Sequence, residues 1–269
     1  MGESSRVPAL RHGVGILRHL ARQGGPATAA SIAGELGLPR STVYHLLNEL
    51  EREGLVVHLP EERRYGLGIG VFELGTAYSR HAPLARLARP LLHSLVDEVG
   101  HGAHLAVLHG REVLYLLEER APGSPSLVTD VGVRLPAHLT ASGRAMLAGL
   151  PAAQVRALFP DASAFTDRHG AGPQRLSELR AVLADVRQRG YATEDGEVTP
   201  GFASVSVAAR DHTGYPVAAM AVTFDRNAVD ERDWRALAAQ IDPVAAELTR
   251  RIGGPDAVVP QFERRTPRP

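Results

Sequence analysis

The sequence predicts an α+β chain of two domains joined by a kinked helical linker. In the first part of the chain, short segments with apolar residues at helical spacing precede two short strand-like segments. Beyond about residue 100, strand-like and helix-like segments alternate. The expected bounds are 1–68 for the first domain, 69–99 for the linker, 100–252 for the second domain and 253–269 for a disordered tail.

The composition excludes several classes of protein. The chain has 269 residues, 44% of them hydrophobic and 22% charged, which is ordinary for a globular protein. It contains no cysteine, which excludes disulfides and thiolate sites, and all 30 basic residues are arginine, which excludes lysine chemistry. No apolar run is long enough to cross a membrane, and the N-terminus lacks the apolar stretch of a signal peptide. These features are typical of a cytoplasmic protein.

Turn and capping residues divide the first domain into short elements. Thr28 is placed to cap a second helix, Pro39 to occupy the first position of a third, and Gly54 to end it. The strand candidates Leu55–Leu59 and Arg64–Leu67 follow, separated by a turn-rich tip. The apolar residues of the first helix are expected to share one buried face: Leu10, Val14, Leu17 and Leu20 or Ala21. This order of elements predicts a winged helix-turn-helix.

The third helix carries the clearest functional signal. Its apolar stripe is expected to be buried: Val43, Leu46, Leu47 and Leu50. The remaining side chains then face outward: Arg40, Ser41, Thr42, Tyr44, His45 and Asn48. Short polar side chains and an arginine near the N-terminal end are what a recognition helix presents to bases and phosphates. Arg63 and Arg64, at the hairpin tip, are candidates for contacts with the DNA backbone or minor groove. The alternative is a solvated face of a small helical domain.

The charge of the first domain bears on oligomeric state. Residues 1–68 carry eight arginines and seven glutamates, so a single copy should bind DNA weakly. Dimerisation would double the contacts. In the linker, leucines recur at helical spacing, and Pro83 and Pro90 predict a break or kink. These leucines either pack within their own chain or form a dimer interface.

The second domain is expected to contain two hairpins and three helices. The hairpin strands are Leu105–Leu108 with Val113–Leu117, and Phe202–Arg210 with Pro216–Phe224. The helices are Thr140–Leu150, Leu176–Arg189 and a last one that begins near Trp234.

Three features of this domain are candidates for binding a ligand. Segment 135–143 leads into a helix whose free N–H groups form a seat for an anion, although they serve capping equally well. Small and polar residues alternate around Ser204 and Thr223, which leaves room for a ligand or for a closely packed helix. Glu194, with Asp195 and Glu197, could accept hydrogen bonds from a ligand or lie in a solvated loop.

Catalytic patterns are weak in this chain. It has no G-x-S-x-G, H-E-x-x-H or P-loop motif. A hydrolase that uses Ser142 or Ser204 with His138 lacks an identifiable acid to orient the histidine. His101 and His104 have a metal-like spacing, but residues three apart on a strand point to opposite faces. We therefore expect no enzyme activity, no metal and no cofactor.

Several motifs, in order along the chain, resemble those of IclR-type transcriptional regulators. In the first domain the motif is 36–43, with the apolar and glycine positions that follow it up to Val56. In the second it is 135–145, then 189–191 and 194–197. The resemblance covers roughly residues 8–252. It implies a GAF-like effector-binding domain with an antiparallel sheet, dimers or dimers of dimers, and regulation of partly palindromic operators by a small metabolite.

The resemblance also implies which residues contact the effector. They come from the loop-to-helix segment, the acidic stretch and two paired strands: Ala141, Ser142, Glu194, Phe202, Ser204, Ala221 and Thr223. Two departures from the family pattern matter. Tyr44 and His45 stand where a basic residue is frequent, and Ala221 stands where a serine is frequent. The first affects base preference, and the second makes the pocket less polar.

The sequence thus predicts a homo-oligomeric regulator, more specifically a repressor, with double-stranded operator DNA and a small-molecule effector as partners. Small carboxylic acids are the first effector class to screen. The alternative is a metabolite-binding protein whose winged domain mediates protein contacts. We expect a nucleoid-associated, cytoplasmic location and no membrane contact.

Overall fold

The first unit of the chain, Met1–Ala82, contains in its described residues three helices, a small antiparallel hairpin and a further helix. The computed structural model describes residues 7–81, 83–122 and 130–254, and no side chains between 76 and 83. The elements of this unit are α1 (Pro8–Gln23), α2 (Ala29–Leu36), α3 (Arg40–Arg52), β1 (Val56–Leu59), β2 (Arg64–Leu67) and α4 (Ile69–His81). β1 and β2 pair antiparallel, and Ala27 adds a bridge to Tyr65. The winged helix-turn-helix prediction is confirmed.

Local hydrogen bonds explain where these helices begin and end. The Thr28 hydroxyl accepts from the Ser31 N–H at 3.1 Å and caps α2, as predicted. Gly54 adopts a left-handed φ of 69° after α3, and the Leu55 N–H then reaches the Leu50 carbonyl at 2.8 Å. Pro39 lies one position earlier than expected, immediately before α3.

The buried face of α1 agrees with the prediction only in part. Leu20 lies in the core of the first unit and Leu17 packs against it, as predicted. Ile16, which was not predicted, is also in the core, whereas Leu10 is 66% exposed and Val14 is also exposed. The helix has two adjacent apolar stripes, and periodicity alone did not show which of them faces α2 and α3. The stripe through Leu10 and Val14 is therefore left on the surface of the single chain.

The segment predicted as a linker forms parts of both units. α4 belongs to the first unit, and α5 (Pro83–Val99) belongs to the second unit, Pro83–Pro269. Pro90 lies inside α5. Leu92 and Leu95 are fully buried in the core of the second unit, and Leu84, Leu87 and Leu91 pack partly buried against the same core. These leucines thus make contacts within their own chain.

The second unit is a six-stranded antiparallel sheet with helices on both faces. The strands are β3 (Gly102–His109), β4 (Glu112–Glu119), β5 (Arg134–Pro136), β6 (Ala192–Asp195), β7 (Phe202–Arg210) and β8 (Pro216–Asp225). Their order is β5-β4-β3-β8-β7-β6. The helices are α6 (Ala141–Ala148), α7 (Ala152–Leu158), α8 (Leu176–Arg189) and α9 (Trp234–Arg251). The predicted hairpins and helices are present, whereas β5, β6 and α7 were not predicted.

Each face of the sheet has its own core. Leu105, Val205 and Met220 face α5 and α9, whereas Ala106 and Ala219 face α6 and α8. The alternation along each strand separates the two cores. The predicted tail, apart from Gly253 and Gly254, lies outside the described residues. Within the described ranges, no helix is long and apolar enough to cross a membrane.

Candidate functional sites: an exposed helix and a buried pocket

The outward face of α3 is free for contacts in the first unit. Val43 and Leu47 are buried, and Leu46 and Leu50 are half-buried, as the stripe required. Tyr44 is 49% exposed and Thr42 is half-buried. The other four predicted contact residues are exposed: Arg40, Ser41, His45 and Asn48. None of these six side chains makes a hydrogen bond or ion pair with another described residue, so the face is not used by the fold itself.

The N-terminal end of α3 is chemically open. Its cap position is Pro39, which provides no side-chain hydrogen bond, and the first turn contains no acidic residue. The backbone N–H groups of the first turn therefore have no side-chain acceptor, in contrast to those of α2, which Thr28 caps. Such an end favours a phosphate, because its N–H groups and the helix dipole both attract negative charge.

The two arginines at the wing differ in their freedom. Arg63 lies in the β1–β2 turn with φ of 53° and is exposed. The Arg64 guanidinium donates to the Pro26 carbonyl at 3.2 Å and so helps to fix the wing on the helices. Arg63 is thus the freer candidate for a contact with DNA.

A narrow pocket lies in the second unit between the start of α6, the loop after β6 and the sheet. Four strands and one helix bring its lining together. All seven residues expected to contact an effector line this one pocket: Ala141, Ser142, Glu194, Phe202, Ser204, Ala221 and Thr223. Positions separated by as many as 82 residues in the sequence therefore meet here.

One wall of the pocket is the N-terminus of α6. Thr140 caps the helix by accepting from the Gly143 N–H at 3.0 Å, which leaves the N–H groups of Ala141 and Ser142 for another acceptor. The Ser142 hydroxyl is buried close to the Tyr115 hydroxyl, but no described group meets it in good hydrogen-bond geometry. A buried hydroxyl without a partner is costly, so a ligand acceptor at this wall would be stabilising.

The opposite wall is a polar row across the sheet. Glu194 pairs in register with Ser204, and Ser204 with Thr223, so the three side chains share one face. The Ser204 and Thr223 hydroxyls are 2.9 Å apart. Glu194 is almost completely buried and accepts from the Val198 N–H at 3.0 Å. Burial raises the pKa of Glu194 to about 7, and the charge of Glu197 adds to the rise.

Sequence reasoning missed Tyr115, Val198 and Thr199 as pocket residues. Tyr115 lies on β4 and is buried; its pKa is raised far above its ordinary value, first by burial and then by the charge of Glu194. Its position on the pocket face of the sheet follows from the pairing of β4 with β3. The alternation around Val113–Leu117 was visible, but it could not show which face lines the pocket.

The predicted acidic cluster is divided among three roles. Glu194 lines the pocket, whereas Asp195 forms an ion pair with Arg226 at 3.0 Å. Glu197 accepts from Arg144 at 2.8 Å in a nearly buried ion pair. Only one member of the cluster is therefore available to a ligand.

Gly143 and His138 serve the fold rather than the pocket. A side chain at Gly143 would bring its Cβ within 2.1 Å of the Ala137 carbonyl oxygen, so glycine permits this close approach of the chain. His138 Nε2 is 3.1 Å from the Thr166 carbonyl, and the ring packs against Phe159 and Phe165. His138 does not line the pocket with Ser142 or Ser204, which removes the geometry that a hydrolase would need.

The two histidines lie on opposite faces of the sheet, as expected, although His101 lies just before β3 rather than on it. His101 contacts Phe224 on the α9 side of the sheet, whereas buried His104 faces Glu118 at 3.8 Å and Tyr115 on the pocket side. Among the described residues, no group of three His, Cys, Asp or Glu side chains is arranged to hold a metal.

Comparison with known proteins matches both units of the chain to the same protein family. A model of the IclR helix-turn-helix domain matches residues 9–60, and one of the bacterial transcriptional regulator IclR C-terminal domain matches residues 76–250. The glycerol operon regulatory protein of Streptomyces coelicolor is 33% identical over 217 residues, covering 81% of this chain and 84% of that protein.

Two further relatives agree with this result. The transcriptional repressor IclR of Escherichia coli is 26% identical, with 93% of this chain and 92% of that protein covered. A solved IclR homologue from Microbacterium hydrocarbonoxydans, complexed with 4-hydroxybenzoate, has the same fold with a TM-score of 0.78 at 22% identity, covering 91% of this chain and 98% of that one. With both of its units matched and the predicted fold present in each, the chain belongs to the IclR family of bacterial transcriptional regulators.

Proposed function

We propose that the chain represses transcription by placing α3 in the major groove of operator DNA, and that a small molecule in the α6 pocket relieves the repression. The observation that carries the proposal is the unused polar face of α3, with an uncapped N-terminal end. The E. coli relative is a repressor, which favours that sign of regulation. Such a regulator acts in the cytoplasm, at the nucleoid.

The proposal includes self-association. The first domain, 1–68, is almost neutral, and phosphate neutralisation supplies most of the affinity for DNA, so two copies are needed for tight binding. Apolar side chains for an interface are present. Leu10 on α1 is 66% exposed, and Ile69 and Phe72 on α4 are 68% and 69% exposed. Exposed apolar groups of this size on a regulator favour a dimer or a dimer of dimers.

For the effector we propose a small carboxylic acid that also carries a hydrogen-bond donor. The N–H groups at the start of α6 suit a carboxylate, and Glu194 on the other wall suits a hydroxyl. The Microbacterium homologue was solved with an acid that has both groups. Effector binding would shift the placement of the paired winged domains through segment 69–99, provided that it binds the two arrangements unequally.

A gel shift with the chain's own upstream DNA tests the proposal. Counterion release predicts that the affinity falls steeply as the salt concentration rises. The second candidate function, a metabolite-binding protein whose winged domain contacts proteins, predicts no such complex even at low salt. A monomer that ignores this DNA in dilute buffer would contradict the proposal.

Arg40→Ala is expected to weaken operator binding by about 1–3 kcal/mol, because an arginine near the start of a recognition helix forks onto a base or phosphate. Arg52→Ala is the matched control, since Arg52 lies exposed at the other end of α3 and pairs with Glu49. Titration of labelled operator with both variants measures the effect. Equal affinity of the two variants would remove Arg40 from the interface.

Ser204→Phe is expected to abolish the effector response while operator affinity is retained. The larger ring would fill the floor of the pocket, where Ser204 meets Thr223. Ser177→Phe on the exposed face of α8 is the control. The effector for this assay is first identified in a thermal-shift screen of small carboxylic acids, as the acid that raises the unfolding temperature most. At about 100 times its Kd, this acid should stabilise the folded chain by roughly 2.7 kcal/mol. A normal response in Ser204→Phe would place the effector elsewhere.

A further inference from the structure

A second cavity in the same unit has no role in the proposed function. It has a volume of about 260 Å³ and lies between the C-terminal part of α6, the end of α8, the end of β7 and α9. Ala145 and Ala148 of α6 provide its apolar floor. None of its lining residues lines the α6 pocket described above. The two cavities are therefore separate, although α6 takes part in both.

The cavity exists because the edge strand is short. β6 pairs with β7 only from Ala192 opposite Ser206 to Asp195 opposite Ala203. Beyond Ser206, no described strand covers that edge of β7, and Val207 and Ala208 line the cavity. An uncovered strand edge presents backbone donors and acceptors. The opening thus offers polar backbone groups next to an apolar floor.

Two arginines lie at this cavity without an acidic partner. The Arg187 Nε–H donates to the Ala148 carbonyl at 2.7 Å, and Arg210 donates to the Gly214 carbonyl at 3.1 Å. Neither guanidinium forms an ion pair with a described carboxylate. Arg210 is half-buried, and burial lowers its pKa. These hydrogen bonds to carbonyl oxygens orient both guanidinium groups. The remaining N–H donors of each guanidinium are left for an anion.

The cavity also contains an acid that the arginines do not neutralise. Asp242 of α9 is half-buried and makes no hydrogen bond or ion pair with a described residue. Burial raises its pKa, and no arginine offsets the rise. A carboxyl and two guanidinium groups thus share one cavity without meeting each other. A molecule that bridges them must carry both an anionic and a cationic group.

We propose that this cavity binds a small zwitterion of the α-amino acid type. Its carboxylate would accept from Arg187 and Arg210, and its ammonium group would donate to Asp242. The alanine floor leaves room for the side chain. Binding would give the two half-buried charges, Arg210 and Asp242, and the exposed Arg187 an opposite charge, and water solvates the two half-buried groups poorly. The proposal does not depend on DNA binding or on the α6 pocket.

Thermal unfolding of the full chain with free amino acids tests the proposal. The probes are glycine, L-alanine, L-glutamate and L-arginine, compared with acetate and methylamine at equal ionic strength. At least one amino acid is expected to raise the unfolding temperature, whereas acetate and methylamine, each with half of the recognition groups, leave it unchanged. No shift with any amino acid, or an equal shift with acetate alone, would overturn the proposal.

Two conservative variants locate the site. Asp242→Asn and Arg187→Gln are each expected to weaken binding of the amino acid roughly tenfold or more, measured by calorimetry, because each removes one charge-assisted hydrogen bond. The control is Asp185→Asn on the exposed side of α8, which should bind normally. Ser142→Ala in the α6 pocket should also bind normally. Undiminished binding in both site variants, or a second copy of the chain found over this cavity in solution, would refute the assignment.

Discussion

Replacing Arg144 by methionine is expected to lower the free energy of unfolding by about 3–5 kcal/mol, the usual effect of breaking a buried ion pair from one side. The guanidinium donates to the His138 carbonyl, the Thr193 carbonyl and the Glu197 carboxylate, each at 2.8 Å. Arg144 is thus the centre of a network that ties α6 to β6 and to the loop before α6. Methionine retains much of the packing volume but none of these bonds.

The control for this prediction is Arg175→Met. Arg175 forms a single ion pair with Glu178 on the surface, and exposed pairs of this kind contribute at most about 1 kcal/mol. Chemical denaturation of both variants gives the comparison. If Arg144→Met cost no more than Arg175→Met, the network would not hold α6 in place, and Glu197 would have to find water or another partner.

The stability of the protein should fall with rising pH because of one buried acid, Glu194. Its pKa is raised from 4.5 in the unfolded chain to about 7 in the folded one. The folded state therefore retains a proton that the unfolded state has already released. The stabilisation is fully present below about pH 4.5 and is lost as the pH rises through about 7, which amounts to roughly 3 kcal/mol.

Glu194→Gln is the test of this pH dependence. Glutamine fills the same space and cannot ionise, so the variant should lack this part of the loss and gain stability relative to the parent chain above neutral pH. Denaturation midpoints at about pH 5 and about pH 8 measure the difference. Glu178→Gln, at a partly exposed acid of α8 whose pKa is lowered by hydrogen bonds, provides the control. Parallel pH profiles of the parent and Glu194→Gln would show that Glu194 is ionised in the folded chain.

The helix that presents the candidate DNA contacts could be predicted almost completely. Its stripe from Val43 to Leu50 has helical period, and Gly54 supplies the left-handed residue that a helix end needs. Both signals are local, because they depend on neighbours within one or two turns. The same is true of Thr28 and Thr140, whose hydroxyls cap the helices that follow them.

The choice between equivalent local patterns could not be predicted. Leu10 and Val14 are as apolar as Ile16 and Leu20, but only Ile16 and Leu20 are buried in the core of the first unit. The leucines of α5 were equally consistent with a connector and with a core. Leu92 and Leu95 lie in the core of the second unit because α5 packs on β3 and α9.

The proposed effector pocket in the second unit shows the same division between local and tertiary information. The resemblance to the family named seven residues of this pocket, and the pairing of the strands places them around one cavity. Which acid faces that cavity was decided by Arg144, which takes Glu197, and by Arg226, which takes Asp195. Tyr115 joined the site only through the register of β4 on β3.

By itself, then, the sequence determined the elements, their caps and the polar face of α3, since each depends on residues close together along the chain. Only the tertiary structure decided which side chains of α1 are buried, which acid lines the α6 pocket and where a second cavity opens at the uncovered edge of β7. These features depend on how segments far apart in the sequence pair and pack, so no local sequence pattern indicates them.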